Sequence, residues 1–390
     1  MAKWFFPSSF FLFLGNWTGQ IALNWYAYQV NHNALDLAFI NFFRLAPIFV
    51  LSLWAGAIAD RYSRSTLIKV SVTCSLVTTT ALTVMIITGD VSMYILYIYA
   101  LMRGVISAIE TPVRQAILPD ISKRLTISKA VAYHSFILNI CRSIGPAIAG
   151  FLIAFSGVKA AFIAQSLCYV ASLIMSMPLD IKTKQVVEKS KFSLSIAWHY
   201  FKQHHSGRRL MMTSFLIMAT GYSYTTLMPI LTDFRFPNDA TVFGTAMTFS
   251  AVGGIVATLC IPTVLKHVKV TQLYYISSIL FGVGLVLIDP AGVYALFLVI
   301  FLVGLCGQLA RTSNRIYFQN DSDPEHRGKI LSVVMMDRGM IPLGAMLMSL
   351  ISEAIGIIQT FLLMGIATIV IATVGYIIHI SFNGGVKYER

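Results

Sequence analysis

Twelve apolar runs, most about 20 residues or longer, dominate this chain, at 5–30, 37–59, 66–88, 92–116, 127–155, 159–178, 210–233, 240–265, 271–289, 292–317, 330–352 and 357–380. Roughly 20 apolar residues wound as a helix cross about 30 Å of hydrocarbon. Lipid offers no partner to a bare backbone, so the runs are expected to be helices; a barrel would show short alternating segments instead. The expected fold class is all-α, a polytopic membrane protein with twelve transmembrane helices. Composition agrees: 57% of the 390 residues are hydrophobic and 12% charged, against about a half and a quarter in soluble chains. A soluble enzyme, a disordered protein and a disulfide scaffold are excluded. The first run carries Asn16, Gln20 and Asn24 and is expected to be a retained helix, not a secretory signal.

The net charge of +13 could suggest nucleic acid, but its distribution argues against that. With the amino terminus inside, 22 of the 29 Lys and Arg fall in inner segments, two (Lys159 and Arg235) in outer loops and five within spans. That bias places both termini in the cytoplasm and sets basic loops against an anionic leaflet. The five cysteines all lie in spans without metal-ligand spacing and are read as small packing residues. No metal site is expected.

The halves repeat. Glu110–Arg114 and Arg311–Arg315 lie 201 positions apart, as do Asp120 and Asp321; Arg142–Pro146 and Arg338–Pro342 lie 196 apart. Two pseudo-symmetric six-helix bundles follow, over 1–180 and 210–390, with a polar linker at 181–209. Parallel repeats around a midplane site are a transporter architecture. Within the linker, Leu194, Ala197, Trp198 and Phe201 share one helical face, the pattern of an amphipathic helix lying on the inner membrane surface.

The loop after the second run reads Gly56-Ala-Ile-Ala-Asp60-Arg61-Tyr-Ser-Arg64. It resembles the loop 2–3 signature of the major facilitator superfamily, with Ser63 and Ser65 departing from the usual glycine and basic residue. The resemblance implies that Gly56, Asp60, Arg61 and Arg64 form a conformational latch on the cytoplasmic side. An acid at a helix end can make and break contacts with nearby arginines and helix N-termini. Pro112–Asp120 resembles the end of helix 4 in the exporter group of macrolide efflux pumps and siderophore exporters. Arg142–Gly150 resembles the helix 5 Gly-Pro signature of facilitator antiporters, although Cys141 and Ala149 replace two of its glycines. The resemblance implies the major facilitator fold and efflux by alternating access.

Charge inside the spans is the most informative feature. Arg44, Arg103, Glu110, Arg142, Arg311, Asp337 and Arg338 lie within them, each costing about 2.5–3.5 kcal/mol by insertion scales unless it meets a partner or a cavity. Asn16, Gln20 and Asn24 run down one side of the first helix. These polar residues and the five arginines form the candidate substrate-binding set. Arginine excess favours carboxylates or phosphates, which guanidinium binds in bidentate fashion. The expected cargo is therefore a small anionic molecule; the resemblance to the exporter group implies a carboxylate-bearing metallophore, such as a siderophore or a staphylopine-type opine. Structural ion pairs of Glu110 with Arg142, and of Asp337 with Arg311 or Arg338, are the alternative role for these charges. Glu110, Asp337 and His134 are the candidate proton carriers. No cofactor is expected, a proton gradient supplying the drive. The expected surroundings are a lipid bilayer, with no nucleic acid, and facilitators of this layout can function alone as monomers.

Two other readings compete. A multidrug or macrolide-type pump would share the fold. A membrane-embedded transferase would need a nucleophile, base or metal cluster, and His199, His204 and His205 have no acid at useful spacing in the sequence.

Overall fold

The computed structural model describes residues 2–89, 91–121, 127–180, 194–237, 239–288, 292–322 and 327–383, with the side chains of 48–50, 52–61, 119, 127, 128, 131, 132, 194–198, 327–329, 332, 335, 338, 382 and 383 outside that set. Every expected span falls on helix: α1 (Ala2–Asn31), α2 (Ala34–Arg61), α3 (Arg64–Thr88), α4 (Met93–Ala116), α5 (Leu118–Ile121), α6 (Ile127–Ser176), α7 (Leu194–Gln203), α8 (His205–Thr220), α9 (Tyr224–Arg235), α10 (Ala240–Val264), α11 (Val270–Val286), α12 (Val293–Asp321), α13 (Arg327–Val334), α14 (Met340–Ile355) and α15 (Ile357–Asn383). Six described helices are long and apolar enough to cross a membrane by themselves. Large apolar side chains such as Leu167, Phe155 and Val370 stay exposed on their outer faces, as a lipid-solvated surface requires.

Local chemistry sets the turns. Asn33 Oδ1 accepts from the Leu35 N–H at 2.7 Å, starting α2 after the His32 turn. Gly89 closes α3 in the left-handed conformation, its N–H bonded to Met85 O at 3.0 Å, a glycine C-terminal stop. The fifth and sixth spans run on as one helix, α6, with Gly157 (φ 76°) at the break between them.

Two spans are interrupted. The seventh is broken at Gly221–Ser223 into α8 and α9, and the eleventh contains a 3₁₀ turn, Met335–Gly339, between α13 and α14. Irregular backbone at membrane depth needs protein partners or a wet cavity, and these two breaks carry Tyr222 and Asp337.

The chain divides into two compact units, Met1–Glu188 with Thr232–Thr248, and Lys189–Leu231 with Phe249–Arg390. Thr232–Thr248 clusters with the first unit. In that unit α1 packs along α6, α2 on α4, and α3 on both α4 and α6. Small residues let α10 approach α6 backbone to backbone: a Cβ on Gly150 would lie 2.1 Å from Gly244 O. Trp25 stacks on Phe243 with centroids 4.4 Å apart. In the second unit α11 packs on α12 and α15, and α8 on α14 and α15.

All five cysteines are free; Cys141 and Cys306 are buried, whereas Cys74 and Cys260 are exposed, unlike the packing role expected of them.

Candidate functional site

In the first unit the polar residues of α1 meet those of α2, α4 and α6. Arg103, only 6% exposed, donates through Nη2 to Asn16 Oδ1, and its guanidinium lies over the Tyr169 ring at 5.0 Å. Tyr169 OH donates to the same Asn16 oxygen at 2.6 Å. Gln165 Nε2 donates to Tyr169 OH at 3.0 Å and to Tyr99 OH at 3.1 Å, and Tyr99 OH pairs with Thr79 Oγ1 at 3.0 Å. Two α1 glycines make room for this. A Cβ on Gly19 would meet the Gln165 carboxamide at 2.1 Å, and one on Gly15 would meet Tyr169 at 3.0 Å. This is the small-xxx-small spacing that brings membrane helices close.

Beside Arg103, α2 supplies Arg44. Its backbone carbonyl would lie 2.5 Å from a Cβ on Gly104, so α2 and α4 touch next to the two arginines, and their charges interact. Arg44 Nη2 donates to Asn41 Oδ1 at 3.4 Å, and Asn41 Nδ2 donates to Asn24 Oδ1 at 3.2 Å. Gln20 is half-buried on the same helix as Asn16 and Asn24. Arg142 Nη2 donates to Asn139 Oδ1, one turn back on α6, at 3.1 Å.

Further along α4 the chemistry changes. Glu110 pairs with Arg114 at 3.2 Å, both at most 3% exposed. Ser71 donates to the Glu110 carboxylate at 3.4 Å, and Arg114 donates to Ser9 at 2.9 Å. The alternative structural reading pairs Glu110 with Arg142. Arg114 wins because i,i+4 spacing on one helix already sets the two side chains together. His134 is buried between Phe5 and Phe13, with centroids 6.0 and 5.6 Å away.

Of the expected latch, Arg64 is placed: Nη1 donates to Ala116 O at 2.7 Å and to Asp120 Oδ2 at 2.8 Å. Gly56, Asp60 and Arg61 belong to the last turns of α2, and their side chains lie outside the described set.

In the second unit Arg311 donates to Gln308 Oε1 at 3.1 Å, and its guanidinium lies over the Tyr222 ring at 4.8 Å. Gln308 Nε2 donates to Thr312 Oγ1 at 3.2 Å. Buried Asp337 accepts from Ser214 Oγ at 3.0 Å, and Asn314 Nδ2 donates to that hydroxyl at 3.1 Å. The side chain of Arg338 lies outside the described set.

The linker helix α7 is present; of its expected apolar face only the side chain of Phe201 is described. Phe201 packs edge-on to Phe318 of α12 at 6.0 Å. Tyr200 OH donates to Asp321, and His204 Nδ1 lies 3.4 Å from the same carboxylate. Asp321 is thus the acid that sequence spacing could not find for His204. Asp36 and Asp233 accept hydrogen bonds from Tyr97 and Tyr28 respectively. The described residues include no group of three or more His, Cys, Asp or Glu placed to hold a metal ion.

Apolar helices carrying buried arginines, a repeat of 201 residues and two broken spans define a polytopic secondary-transporter fold. The model of the family described as transmembrane secretion effector matches residues 2–384, and the chain belongs to that family of major facilitator transporters. It is 48% identical over 382 residues to the staphyloferrin A transporter of Staphylococcus aureus, covering 97% of this chain and 96% of the relative. It is 23% identical to the multidrug efflux pump Tap of Mycolicibacterium fortuitum (92% and 91% covered) and 22% identical to macrolide efflux protein A of Streptococcus pyogenes (91% and 90% covered). The nucleoside transporter NupG shares the fold, with a TM-score of 0.76 at 16% identity over 96% of this chain and 98% of that structure. The protein is a membrane transporter, not an enzyme.

Proposed function

We propose that this protein exports staphyloferrin A or a siderophore like it, recognised as an anionic, carboxylate-bearing molecule. The observation that carries the reading is the pair Arg44 and Arg103: arginines on the touching helices α2 and α4, each donating to an amide oxygen. Arginine within a span is costly unless it is paired or faces a wet cavity, which marks it as a candidate functional residue, and two like charges side by side favour an anion between or beside them. Asn16, Gln20 and Asn24 line the same region of α1, while Arg142 and, in the second unit, Arg311 and Arg338 complete the candidate set. The high identity to a siderophore transporter supports the cargo class. The secretion family and the efflux relatives support outward transport.

Alternating access driven by a proton gradient is the proposed cycle. Glu110, Asp337 and His134 remain the proton-carrier candidates. In a coupling role the buried Glu110–Arg114 pair would break and reform during the cycle. The latch residues Gly56, Asp60, Arg61 and Arg64 would hold one inner state, with the termini and the basic loops in the cytoplasm.

Deleting the gene and comparing siderophores inside and outside the cell tests the function. Intracellular accumulation of one carboxylate-rich siderophore is the expected result. Unchanged siderophore pools, with new sensitivity to macrolides, would favour the multidrug reading that the 22–23% identical relatives suggest.

A further inference from the structure

Two kinds of partner recur for arginines among the described residues. Near the inner ends of their helices, Arg64 and Arg114 are held by carboxylates, Asp120 and Glu110. Deeper in the spans, Arg44, Arg103, Arg142 and Arg311 each donate to the oxygen of a side-chain amide: Asn41, Asn16, Asn139 and Gln308 respectively. The contrast is sharpest on α4, where Arg103 and Arg114 stand eleven residues apart on one helix.

We infer that Asn16 is a neutral placeholder for the cargo's carboxylate, with Tyr169 and Gln165 as its positioning residues. The inference deepens the proposed anion site and rests on that reading. An amide oxygen holds a guanidinium in place but leaves its charge uncancelled. A hydrogen bond with only one ionised partner is weaker than an ion pair, so an arriving carboxylate can displace it. Replacing the amide of Asn16 by a carboxylate would fill the site permanently.

The surroundings of Asn16 fit this role. Its Oδ1 is fixed by Tyr169 OH at 2.6 Å, and Tyr169 is fixed by Gln165 at 3.0 Å. The Tyr169 ring supports the face of Arg103 at 5.0 Å without charge. Arg103 Nη1 is buried with no hydrogen-bond partner among the described residues. A buried donor without a partner is expensive, and a cargo carboxylate spanning Nη1 and Nη2 would satisfy it in the bidentate geometry that arginine favours. Gly15 and Gly19 on either side of Asn16 admit Tyr169 and Gln165 to the site.

The test uses the purified full chain, with iron-free staphyloferrin A and citrate as probes. Binding is measured by titration calorimetry, unfolding by thermal melting, and transport in proteoliposomes. Arg103→Gln should weaken probe binding at least about tenfold, the loss of one charge-assisted contact. Asn16→Asp should weaken it as much, with a melting temperature unchanged or raised. Asn16→Ala, which removes the amide without adding a charge, should weaken binding clearly less than Asn16→Asp does. Tyr169→Phe should raise KM a few-fold with the maximal rate unchanged.

If Arg103→Gln weakens binding but Asn16→Asp binds like wild type, the placeholder is overturned and the anion site stands. Equal losses in Asn16→Asp and Asn16→Ala also overturn it, because packing and not charge would then be at work. Failure of the wild type to bind either probe, or normal binding by Arg103→Gln, overturns the anion site and the placeholder with it.

Discussion

Arg64, in the first turn of α3, bridges two acceptors with one nitrogen: the carbonyl of Ala116 at 2.7 Å and the carboxylate of Asp120 at 2.8 Å. The contact ties the start of α3 to the end of α4. Both side chains are less than a third exposed, so water screens the pair only in part. Arg64→Ala should lower stability by about 1–2 kcal/mol, the usual range for a hydrogen-bonded charge pair. Arg64→Lys should recover part of it, since one ammonium can still reach Asp120. Thermal melting in detergent reads both.

Glu110 and Arg114 form a pair sealed from solvent. Removing one partner strands a buried charge, at about 3–5 kcal/mol. Arg114→Met should therefore be strongly destabilising. Arg114→Met combined with Glu110→Gln should be milder than Arg114→Met alone, because neither charge is left behind. Additive losses in the double variant would show that the pair is not coupled.

Gly150 lies against the backbone of Gly244. A methyl group there strikes a carbonyl that cannot swing aside, so Gly150→Ala should cost about 1–3 kcal/mol as overpacking. Gly254 is the control: the nearest atom to a Cβ there is 3.8 Å away, and Gly254→Ala should melt within 2 °C of wild type, roughly the scatter of surface changes. Expression and melting of the two variants decide it.

Asp321 anchors the linker helix through Tyr200 and His204. Burial and the Asp321 carboxylate both push the Tyr200 hydroxyl above its ordinary pKa, so Tyr200 stays protonated and donating in neutral and mildly alkaline buffer. Asp321→Asn should loosen α7. Hydrogen exchange of amides 199–203 should quicken by about tenfold, the signature of lowered local stability, while exchange in α12 above Phe318 stays slow.

Much of this architecture is legible in the sequence because a bilayer leaves few choices. The twelve runs locate the helices, and the break between 155 and 159 falls at Gly157. The 201-residue repeat pairs Asp120 with Asp321, yet it does not foretell their partners: α3 supplies Arg64 to the first, and α7 supplies Tyr200 and His204 to the second. Spacing alone pairs residues on one helix, so Glu110 with Arg114 was within reach by the i,i+4 rule, and Arg142 was the wrong choice. The network around Arg103 was less accessible. Gln165 is visible as a polar residue in an apolar run, but Tyr99 and Tyr169 look like ordinary aromatics of a membrane helix. Their role depends on helices α1, α4 and α6 meeting, which two glycines of α1 permit. The broken seventh span is another case. Nothing in its hydropathy marks the turn at Gly221–Ser223 that presents Tyr222 to Arg311.

The central claim is that buried arginines of the first unit receive an anionic cargo. The most direct measurement is uptake of iron-free staphyloferrin A into inside-out vesicles carrying wild type, Arg44→Gln, Arg103→Gln or both. Each single variant should lose at least about tenfold in kcat/KM, with the double variant inactive and all proteins inserted at wild-type levels. Normal siderophore uptake by the well-folded double variant would contradict it.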